Sequence, residues 1–172
     1  MSAEPILSLS GVSKSYGAIR ALQGVGFSVG RGEVHAILGE NGAGKSTTLK
    51  IINGEIEPDE GEVRLAGAVT TAPERARGDI AMVHQELAVF PNMSVAENVF
   101  VGRMPRRGGR IDFARMRSRT RELLDLFGLS LDPREILGQL TPGQQQIVEI
   151  LRAVESDASL LILDEPTSGL NN

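Results

Sequence analysis

Val34-His35-Ala36-Ile37-Leu38-Gly39-Glu40-Asn41-Gly42-Ala43-Gly44-Lys45-Ser46-Thr47 is the stretch that decides the fold. The run from Val34 to Leu38 is mostly apolar and stops at Gly39. Such a run suits a strand buried on both faces of a parallel sheet. Gly39, Gly44, Lys45 and Ser46 then fall at the spacing of a phosphate loop, and a helix is expected from near Gly44 to near Gly54. The glycines let backbone N–H groups turn inward around phosphate oxygens, and the helix N-terminus adds partial positive charge. Lys45 supplies a point charge for the β- and γ-phosphates, and the Ser46 hydroxyl is a magnesium ligand. A plain glycine-rich turn is the weaker alternative, because strand, loop, lysine, serine and helix all stand in order.

Working outward, Leu7 and Leu9 alternate with serines, and Val25, Phe27 and Val29 alternate with small residues. Both read as half-buried strands. Gly30-Arg31-Gly32 and Glu57 to Gly61 read as turns, the second leading into a short strand around Val63 and Leu65. Another strand is expected at Ile80 to Val83, ending at His84-Gln85-Glu86. In the middle of the chain the period becomes helical: Met116, Leu123, Leu124 and Phe127 share one face, with Asp112 placed to cap and Gly128 to terminate. A second helix is expected from about Pro142, with Ile147, Ile150, Leu151 and Val154 at helical spacing. The expected class is α/β, a P-loop NTPase with a parallel core sheet. An N-terminal antiparallel β subdomain and a helical insertion at about 88–156 complete one domain, 5–172.

Composition bounds the rest. The 172 residues are 41% hydrophobic, enough for a sizeable core. A net charge of −4 gives no overall footprint for nucleic acid. The absence of cysteine excludes a disulfide, a zinc-thiolate site and a thiol nucleophile. The N-terminus lacks the basic and apolar regions of a signal peptide, and no apolar run reaches roughly 18 residues. Any membrane role therefore needs a partner.

Leu160-Leu161-Ile162-Leu163 reads as a short buried strand with Asp164 and Glu165 at its C-terminal end. Open α/β sheets place ligands at such ends. Asp164 can reach a magnesium shell, and Glu165 can polarise a water as general base. Alone, two acids starting a loop are more often merely solvated. Beside a phosphate loop the functional reading wins.

Gly39 to Thr47, His84-Gln85-Glu86-Leu87, Leu140 to Gln146 and Asp164-Glu165-Pro166-Thr167 occur in the order seen in ATP-binding cassettes. The chain resembles that family over almost its whole length from Leu7. The triple glutamine Gln144-Gln145-Gln146, the following Ile147-Val148-Glu149-Ile150 and the His84 to Leu87 run look like bacterial carbohydrate importers of the ribose, galactose and xylose type. Their cassette proteins usually carry two cassettes in one chain. The resemblance implies an ATPase that uses ATP and Mg2+ to drive sugar import. It would sit on the cytoplasmic, inner face of the cell membrane, as a dimer of nucleotide-binding domains. Transmembrane permease subunits would be its direct partners and a periplasmic sugar-binding protein an indirect one, with no nucleic acid. An ABC protein acting on DNA or ribosomes is disfavoured by the sugar-type signature.

The resemblance also implies roles for single residues. Tyr16 matches the aromatic residue that stacks on adenine, and Gly39, Glu40, Asn41, Gly42, Ala43, Gly44, Lys45, Ser46 and Thr47 form the nucleotide cradle. Gln85 matches the glutamine that reaches magnesium and the attacking water. Asp164 matches the metal-binding aspartate and Glu165 the catalytic glutamate. Thr141, Pro142, Gly143 and Gln144 match the signature that closes on the ATP of a second subunit. Thr141 and Gln144 there form a capping box, with Pro142 at the first helical position. Pro142 stands where the commonest signature has glycine, which removes one possible phosphate donor. Ser168 to Asn171 falls on the dimer-contact loop, with Asn171 in place of the usual aspartate.

His35 is expected as a satisfied core residue and His84 as a structural one. The eight arginines from Arg103 to Arg121 read as solvated faces, since Asp112, Glu122 and Asp125 are interspersed. Docking to a membrane partner is the alternative for them. In the family, a further strand and a histidine at the γ-phosphate follow Glu165, and no residue here matches that histidine. The expectation is therefore the truncated first part of one cassette. A fragment that binds ATP with little or no hydrolysis is the alternative to a working transport ATPase.

Overall fold

The computed structural model describes residues 4–76, 79–85 and 87–165. The chain forms two compact units, Met1–Ile80 and Ala81–Asn172.

The first unit is built on a four-stranded antiparallel sheet. Strands β1 (Leu7–Tyr16), β2 (Ile19–Val29), β3 (Glu60–Leu65) and β4 (Ala68–Val69) lie in the order β2-β1-β3-β4. Leu9 faces Phe27 on one side and Val63 on the other. The alternation read at Leu7 and Leu9 follows the pleat, and Leu7, Leu9, Val12, Val29 and Val63 are buried. Helix α1 (Lys45–Ile52) starts at Gly44 and turns Ile51 and Ile52 into the interior. Helix α2 (Ala72–Ala76) carries Arg75, which is buried. Its guanidinium donates from Nε to the Ile51 carbonyl at 2.8 Å, from Nη2 to Glu57 Oε2 at 3.0 Å, and from Nη1 to the Thr70 carbonyl. It thus satisfies one of the carbonyls that a helix end leaves open.

In the second unit, β5 (Ile80–Val83) pairs with β8 (Leu160–Leu163). The Asp164 N–H donates to the Val83 carbonyl at 3.0 Å, so the C-terminal ends of both strands lie side by side. That is the parallel part of an α/β architecture. Three helices, α3 (Val95–Val99), α4 (Phe113–Leu126) and α5 (Pro142–Glu155), and a small hairpin of β6 (Arg106–Arg107) and β7 (Arg110–Ile111) complete it. Val95, Val99, Met116, Leu123, Leu124, Val148 and Leu151 share one apolar cluster among the helices. Asp112 caps α4 by accepting from the Arg115 N–H, and Gly128 follows the helix at φ 68°.

Four expectations are corrected. Val34 to Leu38 is not a strand and takes no place in any described ladder. Val34 is 98% exposed and Leu38 90% exposed. An apolar run of this kind becomes a strand only between neighbours on both edges, and none pairs with it here. His35, expected in the core, instead lies at the surface. Its ring stacks on Phe27 with centroids 5.0 Å apart, and its Nδ1 lies 3.2 Å from Glu33 Oε1. Strand β8 is only half buried, with Ile162 inside and Leu161 and Leu163 exposed. Finally, α5 buries a different face from the one expected, and α4 differs at one residue. In α5 the buried side is Gln146, Val148, Glu149, Leu151 and Ala153, while Val154 is exposed. In α4, Met116, Leu123 and Leu124 are buried, but Phe127 has moved to the C-cap and is exposed.

Candidate functional site

The phosphate loop is shaped by its glycines. Gly42 and Gly44 have φ of 86° and 88°, in the left-handed region that favours glycine. Gly44 is also sterically required, since a Cβ there would lie 2.5 Å from the Ala21 carbonyl oxygen and from Leu22 Cδ2. The loop is therefore seated against β2. Its turn closes with Ala43 N–H donating to Glu40 O at 3.1 Å, and α1 begins with Thr48 N–H donating to Gly44 O at 2.9 Å. Among the described residues no side chain caps that N-terminus, whose first N–H groups have no partner within the helix. Lys45 folds back over the loop, and its Nζ donates to Gly39 O at 2.8 Å and Glu40 O at 3.0 Å. The loop thus holds an ammonium at its mouth, beside a helix N-terminus with no acid in its first turn. Both features select a polyanion.

Tyr16 ends β1 and is half exposed, paired with Ile19 across the turn. Asp59 steadies this end by accepting from Lys14 Nζ at 2.7 Å and from the Ser15 N–H at 2.8 Å. These two donors hold the Asp59 carboxyl below its ordinary value. Ile19 is three residues from Leu22, against which Gly44 packs, a strand distance of roughly 10 Å. Tyr16 at the end of β1 and the phosphate loop at Gly44 therefore lie against one stretch of β2, at Ile19 and at Ala21–Leu22.

The second unit holds the other predicted residues. Gln85 follows β5, and Asp164 and Glu165 follow β8 at the same end of the strand pair. Gln85 and Glu165 are exposed, and Glu165 adopts φ 48°. Thr141 caps α5 in a full capping box: its hydroxyl accepts from the Gln144 N–H, and the Gln144 amide oxygen accepts from the Thr141 N–H at 2.9 Å. Pro142 occupies the first helical position. His84 is exposed at the end of β5. Glu86 and Pro166 to Asn171, including the expected dimer-contact loop, lie outside the described residues.

The arginine cluster divides. Arg119 pairs with Glu155 at 2.9 Å and Glu122 at 3.0 Å, and Arg121 donates to the Leu131 carbonyl at 2.8 Å. Arg106, Arg107 and Arg110 stand exposed on the hairpin. Sequence reasoning missed two buried charges, Arg75 and Glu149. Arg75 carried no signal, because its partners, two backbone carbonyls and Glu57, are not adjacent to it in sequence. Glu149 carried none either, because the Ala88 N–H it holds lies 61 residues away in sequence.

Fold and loop together define a P-loop α/β nucleotide-binding domain. The ABC transporter family model matches residues 22–168. The chain is 46% identical over 170 residues to a putative ribose/galactose/methyl galactoside import ATP-binding protein of Burkholderia cenocepacia, covering 97% of this chain and 33% of that protein. It is 48% identical over 170 residues to a ribose import ATP-binding protein of Streptomyces avermitilis, covering 96% of this chain and 34% of that protein. Among solved structures it superposes on a dimeric ATP-binding cassette in a post-hydrolysis state bound to ADP and Pi, with a TM-score of 0.78 and 30% identity. That match covers 96% of this chain and 76% of the other. The chain belongs to the ABC transporter family. It spans about a third of the length of these import proteins.

Proposed function

We propose that this chain is an ATP-binding unit of a bacterial sugar importer, in which ATP binding and hydrolysis drive transport. The observation that carries the reading is the phosphate loop, with Gly44 fixed against β2 and Lys45 arched over it. The import proteins to which it is similar support the sugar assignment. In this reading, Tyr16 stacks on adenine, and Gly39 to Thr47 wrap the phosphates. Ser46, Gln85 and Asp164 offer hydroxyl, amide and carboxylate oxygens, the hard donors that Mg2+ prefers. The metal would neutralise charge on the β- and γ-phosphates. Glu165 takes a proton from water, and Thr141 to Gln144 close on the ATP of a second cassette. The single domain 5–172, with its helical part at about 88–156, docks on membrane permease subunits at the cytoplasmic face. A periplasmic sugar-binding protein delivers solute from the other side.

A direct test is competition for a fluorescent ATP analogue. ATP and ADP with Mg2+ should displace it, whereas adenosine should not, because the loop recognises phosphate. Equal displacement by adenosine would contradict the assignment.

One observation favours the second reading, a chain that binds ATP and hydrolyses it slowly. Val34 to Leu38, which leads into the loop, is exposed and outside any described ladder. The loop then keeps its local shape without the rigid strand beneath it, and phosphoryl transfer depends almost wholly on positioning.

A further inference from the structure

The segment that joins Gln85 to the helices is held by hydrogen bonds at every backbone group of two residues. Ala88 donates its N–H to Glu149 Oε1 at 3.4 Å, and its carbonyl accepts from Arg152 Nη1 at 2.7 Å. Arg152 Nη2 closes the ring by donating to Glu149 Oε1 at 3.1 Å. Two residues on, Asn98 accepts from the Phe90 N–H at 2.8 Å and donates to the Phe90 carbonyl at 2.9 Å. On the other side of Gln85, Val83 is pinned by the Asp164 N–H at 3.0 Å. Gln85 therefore lies between two fixed points, two residues after one and three before the other.

The clamp on Ala88 is costly to build. Glu149 is 2% exposed, and its Oε2 has no hydrogen-bond partner among the described residues. A buried carboxylate with an unsatisfied oxygen destabilises the fold unless it does something a leucine could not. What it does here is hold an N–H and a guanidinium together, and the guanidinium in turn holds a carbonyl. An aliphatic residue at 149 would leave the Ala88 N–H without its acceptor and, among the described residues, Arg152 held only by the Ala88 carbonyl.

We propose that Glu149 and Arg152 are positioning residues that hold Ala88 so that Gln85 presents its amide to the magnesium-bound nucleotide. The assignment rests on the nucleotide reading above for the destination of Gln85, but the clamp itself does not.

Two measurements on the 172-residue chain test it. The first is amide hydrogen exchange of residues 87–90, without nucleotide. Glu149→Ala and Arg152→Ala should each speed exchange there at least about tenfold and leave β1 and β2 unchanged. The second is calorimetry with ATP, with and without Mg2+. Both variants should lose the Mg2+-dependent gain in affinity, as Gln85→Ala should, while magnesium-free affinity stays at the wild-type value. Glu149→Gln keeps an acceptor for the Ala88 N–H and should restore most of the gain, which a general packing defect would not do. If either alanine variant fails to fold, Arg152→Lys replaces it, since one ammonium cannot reproduce the planar two-acceptor grip. Unchanged exchange at 87–90, or faster exchange with the Mg2+ gain intact, overturns the proposal. A wild-type chain that binds no ATP overturns the nucleotide reading instead, and the exchange result then decides the clamp alone.

Discussion

Gly44 and Gly42 share a left-handed backbone but differ in surroundings. Nothing lies within 4 Å of a Cβ at Gly42, whereas one at Gly44 would meet β2 at 2.5 Å. Gly42→Ala should therefore cost only backbone strain, about 1 kcal/mol. Gly44→Ala adds a clash with a carbonyl oxygen and should cost at least about twice that, read as a lower urea midpoint. Equal losses would mean that the loop is not seated on β2. Glu149 gives the second prediction. Burial pushes its carboxyl above the ordinary 4.5, against the pull of Arg152, the Ala88 N–H and His84. The native state then binds this proton more tightly than the unfolded chain. Its contribution is most favourable below pH 4.5 and is lost as pH rises through the raised native value. Glu149→Gln cannot ionise, so its stability should gain on wild type between pH 4 and pH 8. Parallel stability profiles would contradict that. At this scale the sequence displayed what local chemistry needs, such as Gly44, Lys45 and the Thr141–Gln144 pair. It concealed what depends on a distant partner: His35 stacked on Phe27, Arg75 on carbonyls, Glu149 on Ala88.

Helix α5 shows the same division for an element. Its start was legible because a capping box with proline at the first position is a local code. Its buried face was not, because Gln146 and Glu149 face inward and the exposed Val154 faces out. Hydrophobic spacing finds the inward side only where the core is apolar throughout. Thr141→Ala should remove the cap for about 1 kcal/mol, or roughly 3 °C in the melting midpoint. Its exchange effect should stay within the first turn of α5. A loss spread along the helix would show that Thr141 has a tertiary role. The run from Val34 to Leu38 is the converse case. Its residues specify a central strand, yet a strand is completed by its neighbours and not by its own composition.

The molecule combines a locally intact phosphate loop with an unpaired run leading into it. In the proposed reading, binding uses the loop, the ammonium and the helix N-terminus, all of which are close in sequence. In the proposed reading, turnover uses Gln85, Asp164 and Glu165 as well. Phosphate release by this chain should fall well below the roughly 1 s−1 at the lower end of ordinary enzymes. On the second reading, in which the chain binds ATP and hydrolyses it slowly, Glu165→Gln should change it little. Faster release that Glu165→Gln abolishes would make Glu165 the base of a working ATPase. Family membership was legible because its motifs lie in short runs. Comparison gives the share: the chain spans about a third of the length of the import proteins it matches. The central claim is that Gly39 to Thr47 bind the phosphates of ATP. Its most direct test is calorimetric titration of Mg2+ and ATP into wild type and Lys45→Ala, with folding checked by circular dichroism. Loss of the ammonium that now caps Gly39 and Glu40 should weaken binding at least about tenfold. A folded Lys45→Ala chain with wild-type affinity would contradict the account.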